Sequence, residues 1–333
     1  MPMPDPSSVP APRADAAVPA TYLPMAPQPA ALLHQAERLA RLGQPAWLPG
    51  EVAGRLADKL DAIRLTPVDW VDWGGFLGQG AADVARRYPQ AQRWVIEPTP
   101  ALAERSRQTW QAAHPRRWWA ALARREATPP VALAGQPWPA DTPSIWPAQG
   151  AGLVWANMSL HTHADPEAMM RQWHGLLAVD GFVMCSGLGP DSAQELRTVY
   201  RQMGWPWPTV QFVDMHDLGD ALANAGFAEP VMDMERLTLT WVDAPAMLAE
   251  LRTWGGNVAW GRFQGCRTPR WRERLLQAID THCRLKDGRV GLTLELIYGH
   301  AIKPLPRVPV SGESRVSVDD LKRIIKSGGK QAL

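Results

Sequence analysis

The feature that most constrains the fold is a strand, a glycine-rich turn and a helix between residues 68 and 88, followed at once by a second strand and helix. The stretch VDWVDWGGFLGQGAADVARRYP predicts a short buried strand over Val68–Asp72, then the turn, then a helix that closes near Tyr88. The stretch RWVIEPTPALAERSRQTW predicts a strand over Arg93–Glu97 and a helix from Thr99 onward. Two consecutive units of this kind indicate a parallel sheet with right-handed crossovers, in which ligands bind at the carboxyl ends of the strands.

The rest of the chain continues the alternation of helices and strands. Further helices are predicted over residues 31–42, 50–63, 165 onward, 192–203, 214–225, 244–254 and 269–283, and further strands over 152–157, 181–186, 230–241 and from 290 onward. In the last strand apolar residues alternate with polar or small ones from Val290 to Tyr298. This alternation predicts that one face of the strand is buried and the other is less so.

The ends of the chain and one internal segment depart from this pattern. Residues 1–30 contain nine prolines among Ala and Ser, which predicts a disordered leader. Residues 115–150 are rich in Pro and Trp without a clear period, and residues 304–333 are predicted to form a flexible tail. We therefore expect a single α/β domain over residues 31–303, with 115–150 as an irregular segment inside it.

Composition excludes several classes of protein. The 35 Lys and Arg residues against 33 Asp and Glu give a net charge of +2 without a run of like charges, which argues against nucleic-acid binding. The three cysteines have no CxxC spacing, which argues against a disulfide framework or a thiolate zinc site. No stretch of 18 apolar residues and no secretory signal pattern is present, so we expect a cytoplasmic protein without a membrane span.

Three stretches resemble a known family. They are LVWANMSLHTHADPEAMMRQWHGLLAVDGFVMCSGLGPDSAQELR, then FVDMHDLGDALANAGFAEPVMDMERLTLTW, and LRTWGGN. They are similar to the malonyl-acyl-carrier-protein O-methyltransferase family of biotin synthesis, whose members are class I methyltransferases that use S-adenosylmethionine. The resemblance covers about Leu32–Lys303 and is strongest over Gly152–Asn257. It implies a Rossmann-like three-layer sandwich, with N-terminal helices and a seven-stranded, mostly parallel sheet.

The resemblance also implies where S-adenosylmethionine would bind. The family's D-x-G-x-G-x-G loop corresponds to residues 72–78, and its matching residues here are Asp72, Gly74 and Gly78. Phe76 stands at the central glycine, where a side chain and a restricted φ are expected to weaken binding, although Gly75 beside it could shift the loop by one residue.

Two further cofactor positions follow from the family pattern. Glu97 matches the acid that accepts both ribose hydroxyls, with a helix-capping role as the alternative. Where the family places an Asp for the adenine amino group, this chain has Gln136 in the string LAGQPW. Two of the four cofactor elements are thus altered, which places cofactor binding in doubt.

The candidate substrate-binding residues are Asn157, His161 and Arg197. Asn157 and His161 follow the fourth strand, where open α/β sheets bind ligands, and Arg197 on the helix after the fifth strand is a candidate cation for a carboxylate. A backbone-bonded loop histidine and a solvated surface arginine are the alternatives. The spacing of His161, His163 and Asp165 also suits a metal, but we favour none, because Asp165 suits a helix cap and no fourth ligand is evident.

The implied reaction needs little acid–base chemistry. A malonyl carboxylate is ionised at neutral pH, so we expect no general base and name no catalytic residue. Acyl carrier proteins are acidic, and the pairs Arg116-Arg117 and Arg124-Arg125 around Trp118-Trp119 could dock one, or could form an ordinary amphipathic helix.

Three functional hypotheses remain from the sequence. The first is O-methylation of the malonyl carboxylate of a carrier protein at the start of biotin synthesis. The second is a paralogue that keeps the fold, has lost the cofactor and acts as a binding or regulatory protein. The third is methylation of another acceptor.

Overall fold

The structure is a computed structural model that describes residues 25–113, 131–134 and 149–306. Seven strands form one sheet: β1 (Asp69–Trp73), β2 (Gln92–Glu97), β3 (Val131–Leu133), β4 (Ala151–Ala156), β5 (Leu177–Leu188), β6 (Ala228–Trp241) and β7 (Val290–Ile302). The helices are α1 (Pro29–Ala40), α2 (Trp47–Asp58), α3 (Gly75–Gly78), α4 (Ala81–Arg87), α5 (Pro100–Ala113), α6 (Pro166–Leu176), α7 (Gln194–Gln202), α8 (Met215–Asn224), α9 (Ala244–Trp254) and α10 (Pro269–His282).

The strand order is β3-β2-β1-β4-β5-β7-β6. β1 to β5 pair in parallel, and β7 runs antiparallel between β5 and β6. The predicted α/β fold with a seven-stranded, mostly parallel sheet is thereby confirmed. Because the first five strands point the same way, their carboxyl ends share one edge of the sheet, and the loops at that edge carry the candidate site.

Some predicted boundaries are shifted. α2 begins three residues earlier than predicted, and a short 3-10 turn, Lys59–Ala62, replaces its last turn. Residues 25–28 fall in the predicted leader, yet Gln28 N–H donates to the Val258 carbonyl at 2.8 Å and Trp260 N–H donates to the Ala26 carbonyl at 3.0 Å. The predicted leader was therefore too long at its carboxyl end. Most of the predicted irregular segment and tail lies outside the described residues.

The core lies on both faces of the sheet. Neighbouring residues of a strand alternate between the two faces: Trp70, Leu153 and Phe182 pack in one cluster, and Val71, Val154 and Val183 pack in the other. Side chains of α2, α7 and α10 cover the first face, and those of α6 and α8 cover the second. Coverage on both sides explains why neighbouring residues of these strands, which face opposite sides of the sheet, are both apolar.

The prediction for the last strand was wrong. Leu294 and Leu296 of β7 pack on one face, but Ile297 and Ala301 are just as buried on the other. The physical reason is position, because β7 lies inside the sheet between β5 and β6 and has helices over both of its faces. Among the described helices, none is long and apolar enough to cross a membrane.

Two adjacent core residues test this arrangement. Leu296 and Ile297 are both 0% exposed and point to opposite faces of β7. Replacing either by Ala removes buried apolar contacts and leaves a cavity, so each should lower the free energy of unfolding by about 2–5 kcal/mol. Val231→Ala, at a position 51% exposed on β6, is the control and should cost less than about 1 kcal/mol. Chemical denaturation measures all three, and a cost below about 1 kcal/mol for either core variant would contradict two buried faces.

Candidate functional site

The glycine-rich turn between β1 and α4 is coiled into the single helical turn α3. Gly74 precedes this turn with a φ of +66°, which glycine adopts without strain, and its N–H donates to the Ile96 carbonyl of β2 at 2.7 Å. Gly78 ends the turn, and a Cβ there would lie 2.7 Å from the Asn157 carbonyl oxygen. Both glycines of the family pattern are thus required by the fold of the turn itself.

Phe76, at the central glycine of the pattern, faces inward from α3. Its ring is 5% exposed and packs against Ala40 of α1 and Leu102 of α5, with the guanidinium of Arg105 5.0 Å from its centroid. Phe76 is helical, so the expected conflict with a positive φ does not arise. The turn accommodates the bulky residue by coiling, which brings the Phe76 backbone close to β2.

Glu97, the last residue of β2, is the polar centre of the site. Its side chain is fully buried, and Oε1 accepts the Phe76 N–H at 2.8 Å and the Ser106 hydroxyl at 2.5 Å. The other oxygen, Oε2, has no hydrogen-bond partner among the described residues. Burial raises the pKa of Glu97 to about 7, against the lowering effect of the two donors.

Asp72 lies beside this group at the end of β1. Its Oδ2 accepts from Arg93 Nε at 3.0 Å and Nη2 at 2.5 Å, and its buried Oδ1 has no partner among the described residues. Burial raises the pKa of Asp72, although the Arg93 charge opposes the shift. Gly75 crosses directly over this carboxylate, since a Cβ on Gly75 would lie 2.5 Å from Oδ2. Each of the two acids therefore keeps one buried oxygen that has no donor within the described part of the chain.

Asn157 plays a different part from the one predicted. Its Nδ2 donates to the Pro49 carbonyl at 2.7 Å and to the Gly78 carbonyl at 2.5 Å, and its Oδ1 accepts the Ser186 hydroxyl at 2.6 Å. Both amide hydrogens are used inside the protein, and the residue is only 2% exposed. Asn157 thus fastens α2, the glycine-rich turn and β5 together and does not present its amide to a substrate.

His161 lies in the loop after β4 and lines a small cavity of about 50 Å³. Its Nδ1 accepts the Leu188 N–H at 3.3 Å, and its ring meets Phe212 edge-on at 6.0 Å. Burial lowers the pKa of His161 to about 4, so the ring is neutral at pH 7. Because Nδ1 of the neutral ring accepts this hydrogen bond, Nε2 carries the ring hydrogen and is the donor that remains.

The neighbouring His163 and Asp165 are used locally. His163 Nδ1 lies 2.7 Å from the Asp165 carbonyl oxygen and 3.1 Å from its nitrogen. Asp165 accepts from Ala168 N–H at 2.9 Å, which confirms the predicted cap of α6. No group of three side chains able to hold a metal occurs among the residues that the structure describes.

Arg197 lies on α7 and binds the turn that precedes this helix. Its Nη2 donates to the Pro190 carbonyl in the turn after β5. Burial lowers its pKa, and the carboxylates of Asp191, Glu195 and Glu295 act on it in the opposite direction. The predicted role of Arg197 in binding a substrate carboxylate stays a prediction. Gln136 and the arginine pairs at 116–117 and 124–125 lie outside the described residues.

Sequence reasoning missed three contributors to the site. Ser106 donates a hydrogen bond to Glu97, and Arg93 donates to Asp72. The third contributor is α1, whose Ala36 and Ala40 pack against Phe76. The pair of alanines four residues apart was a usable signal, because small residues at this spacing allow a close approach on one helix face. Arg93 and Ser106 had no such signal, because nothing in the sequence distinguishes them from an arginine on the surface of a strand or a serine on the surface of a helix.

The buried carboxyl of Glu97 makes a testable contribution to stability. With its pKa raised from 4.5 to about 7, the folded protein retains a proton that the unfolded chain has lost, so stability falls as the pH rises between these values. The full difference corresponds to roughly 3 kcal/mol. Glu97→Gln keeps an acceptor and cannot ionise, so its stability relative to the wild type should rise across this window.

Denaturation curves at a series of pH values measure this difference. Glu104→Gln, at an exposed acid on the same α5 helix as Ser106, is the control and should give a flat difference. If the stability difference between Glu97→Gln and the wild type is also independent of pH, Glu97 is ionised at neutral pH and its carboxyl group is accessible to water.

Replacement of Asn157 tests its role in fastening the site. Asn157→Ala leaves the Pro49 and Gly78 carbonyls without their donor and should lower the free energy of unfolding by roughly 2–4 kcal/mol. Asn224→Ala, at an exposed position on α8, is the matched control and should cost little. Thermal denaturation compares the two variants. Equally small effects would mean that the hydrogen bonds of Asn157 do not stabilise the glycine-rich turn.

Comparison with known proteins places the chain in a family. No protein-family profile matches it. The malonyl-acyl-carrier-protein O-methyltransferase of Laribacter hongkongensis is 36% identical over 84% of this chain and 89% of its own length. The proteins of the same name from Gallionella capsiferriformans and Nitrosospira multiformis are 35% and 32% identical, over 80% and 82% of this chain and 88% and 89% of their own.

A solved structure, that of the YcgJ protein from Bacillus subtilis, aligns with 75% of this chain and 98% of its own at 12% identity and a TM-score of 0.45, which is too distant to bear on function. The sequence relatives are decisive, because three of them exceed 30% identity over at least 80% of this chain. The resemblance seen in the sequence is thereby confirmed, and this chain belongs to the malonyl-acyl-carrier-protein O-methyltransferase family.

Proposed function

We propose that this protein is an S-adenosylmethionine-dependent methyltransferase that esterifies the free carboxylate of malonyl-acyl-carrier protein. The relatives that bear this activity in their names match the chain over both the cofactor half and the substrate half of the domain. The observation that carries the proposal is Glu97: an acid at the carboxyl end of β2, fully buried, with one carboxylate oxygen that has no donor among the described residues.

The residues around Glu97 fit the ribose part of the cofactor. A buried acceptor without a donor is costly, and a hydroxyl group arriving at Oε2 would remove that cost. Oε1 now binds the Phe76 N–H, so the turn at residues 75–78 would have to move away from Glu97 before a second hydroxyl could bind there. Bound S-adenosylmethionine would supply a methyl group already activated on a positively charged sulfur.

The substrate side requires positioning more than proton transfer. The malonyl carboxylate is ionised at neutral pH and needs no base to become a nucleophile. His161 is neutral and keeps its Nε2 hydrogen, so it can donate one hydrogen bond without removing or adding a proton. The buried apolar side chains of Leu160 and Phe212 line the same cavity.

A second function is favoured by one specific observation. The Phe76 N–H occupies an oxygen of the ribose acid, and the Phe76 ring fills the space between α1, α3 and α5. A chain in which this closure is permanent would bind the carrier protein without methylating it. The two functions differ in one property, the affinity for S-adenosylmethionine.

Calorimetric titration with S-adenosylmethionine and S-adenosylhomocysteine separates the two. The methyltransferase should bind both with micromolar affinity, about −8 kcal/mol. Glu97→Gln should weaken binding tenfold or more by removing an ionisable acceptor, and Phe76→Gly should strengthen it by freeing the turn. Glu104→Gln is the control and should bind as the wild type does.

Absence of binding at millimolar ligand by the wild type would contradict the methyltransferase. If Phe76→Gly then binds, the ring is the obstruction and the second function holds. If Glu97→Gln binds as tightly as the wild type, Glu97 is not the ribose acceptor, whatever the affinity.

A further inference from the structure

A cavity outside the candidate site lies between α1 and the segment 256–262. It has a volume of about 510 Å³ and opens to solvent. We call it the α1 groove; it is lined by Gln28, Ala30, Ala31, His34, Gln35, Glu37, Arg38, Arg41, Gly256, Asn257, Val258 and Arg262. No part of the proposed reaction uses these residues.

Positive charge dominates the walls of the α1 groove. His34, Arg38 and Arg41 recur at intervals of four and three residues and therefore share one face of α1. Arg262 faces them from the opposite wall, and Glu37 is the single acid in the lining. A groove with three arginines and one carboxylate favours an acidic partner.

The charges of these arginines are not neutralised within the described part of the chain. Arg38 Nη1 donates to the Arg252 carbonyl at 3.3 Å, and Arg262 Nη1 donates to the Ala259 carbonyl at 2.9 Å, both neutral acceptors. None of the ion pairs between described residues includes Arg38, Arg41 or Arg262. Three guanidinium groups therefore line one groove without a carboxylate partner among the described residues.

The α1 groove lies directly behind the candidate site. The opposite face of α1, Ala36 and Ala40, packs on Phe76, so one helix separates the groove from the glycine-rich turn. On the other wall, Val258 and Ala259 pack with Phe212, whose ring contacts His161. A protein docked in the groove would therefore lie next to both the turn and the loop that carries His161.

The 24 residues before Met25 are a poor alternative occupant. They carry two aspartates, Asp5 and Asp15, against Arg13, which is too little negative charge to neutralise three arginines. A folded carrier protein, acidic over its surface and bearing an anionic phosphodiester on its prosthetic arm, matches the charge of the groove better.

We propose that the α1 groove is the docking surface for the acidic acyl carrier protein, held by Arg38, Arg41 and Arg262. This inference depends on the proposed partner and not on methyl transfer, so it holds for either function considered above. Docking there would direct the prosthetic arm around α1 toward the carboxyl edge of the sheet.

The test is a binding titration of malonyl-acyl-carrier protein to the full chain without cofactor. The variant R38E/R41E reverses two groove charges, and R270E/R272E reverses two exposed charges at the start of α10 as a matched control. The groove variant should bind at least tenfold more weakly and show a smaller salt dependence, while the control should stay within twofold of the wild type. Unchanged thermal unfolding temperatures establish that both variants are folded.

Each outcome decides the inference. Equal weakening in both variants would show that overall charge attracts the carrier protein, and no weakening in either would show that it docks elsewhere; both overturn the proposal. If the wild type does not bind the carrier protein, the proposed partner itself is contradicted. This result differs from one in which the wild type binds and R38E/R41E binds equally well. Loss of self-association in R38E/R41E would assign the groove to a second copy of this chain and would also overturn the proposal.

Discussion

The hydrogen bond between the Phe76 N–H and the buried carboxylate of Glu97 is the constraint on which the candidate site depends. It ties the turn after β1 to the end of β2, at 2.8 Å, within a group of side chains that exclude water. A buried carboxylate with a single occupied oxygen is stable only if its proton is retained or a further donor arrives, and its pKa of about 7 reflects that balance. The same carboxyl group thus holds the turn through the Phe76 N–H and is the acceptor that we propose for the ribose of the cofactor.

The sheet makes this contact possible by bringing distant residues to one edge. β1, β2, β4 and β5 are neighbours in parallel register, so the turn at Gly74, the acid Glu97 and the loop of His161 all lie at their carboxyl ends. Asn157 then joins the turn to α2 and β5 through three hydrogen bonds. Three hydrogen bonds therefore hold the site on the β4 side, and the short helical turn α3 covers it on the β1 side, where our proposal requires movement before a ligand enters.

Much of the fold could be predicted from sequence because hydrophobic period and turn residues are local signals. The order of strands and helices followed from them, and the family resemblance supplied the sheet of seven strands. The burial of both faces of β7 could not be predicted, because the alternation of Leu294 and Leu296 does not show that helices cover both faces of the sheet at this strand. Local alternation describes one strand, whereas burial depends on the layers around it.

The site was predictable in position and much less in role. Glu97 was proposed as a site residue from its place at the end of a strand, but its hydrogen-bond donor is the backbone N–H of Phe76, 21 residues away, a contact that no side-chain pattern encodes. Asn157 was expected to face a substrate, yet its donors reach carbonyls 108 and 79 residues earlier in the chain. Arg197 was predicted as the cation for a substrate carboxylate, and only the folded chain shows that its guanidinium donates to the Pro190 carbonyl.

The most direct measurement is the mass of malonyl-acyl-carrier protein after incubation with the protein and S-adenosylmethionine. The account predicts a gain of one methyl group for the malonyl form and no gain for acetyl-acyl-carrier protein, which lacks the free carboxylate. An unchanged mass for the malonyl form, under conditions in which a known methyltransferase of this family modifies it, would contradict the account.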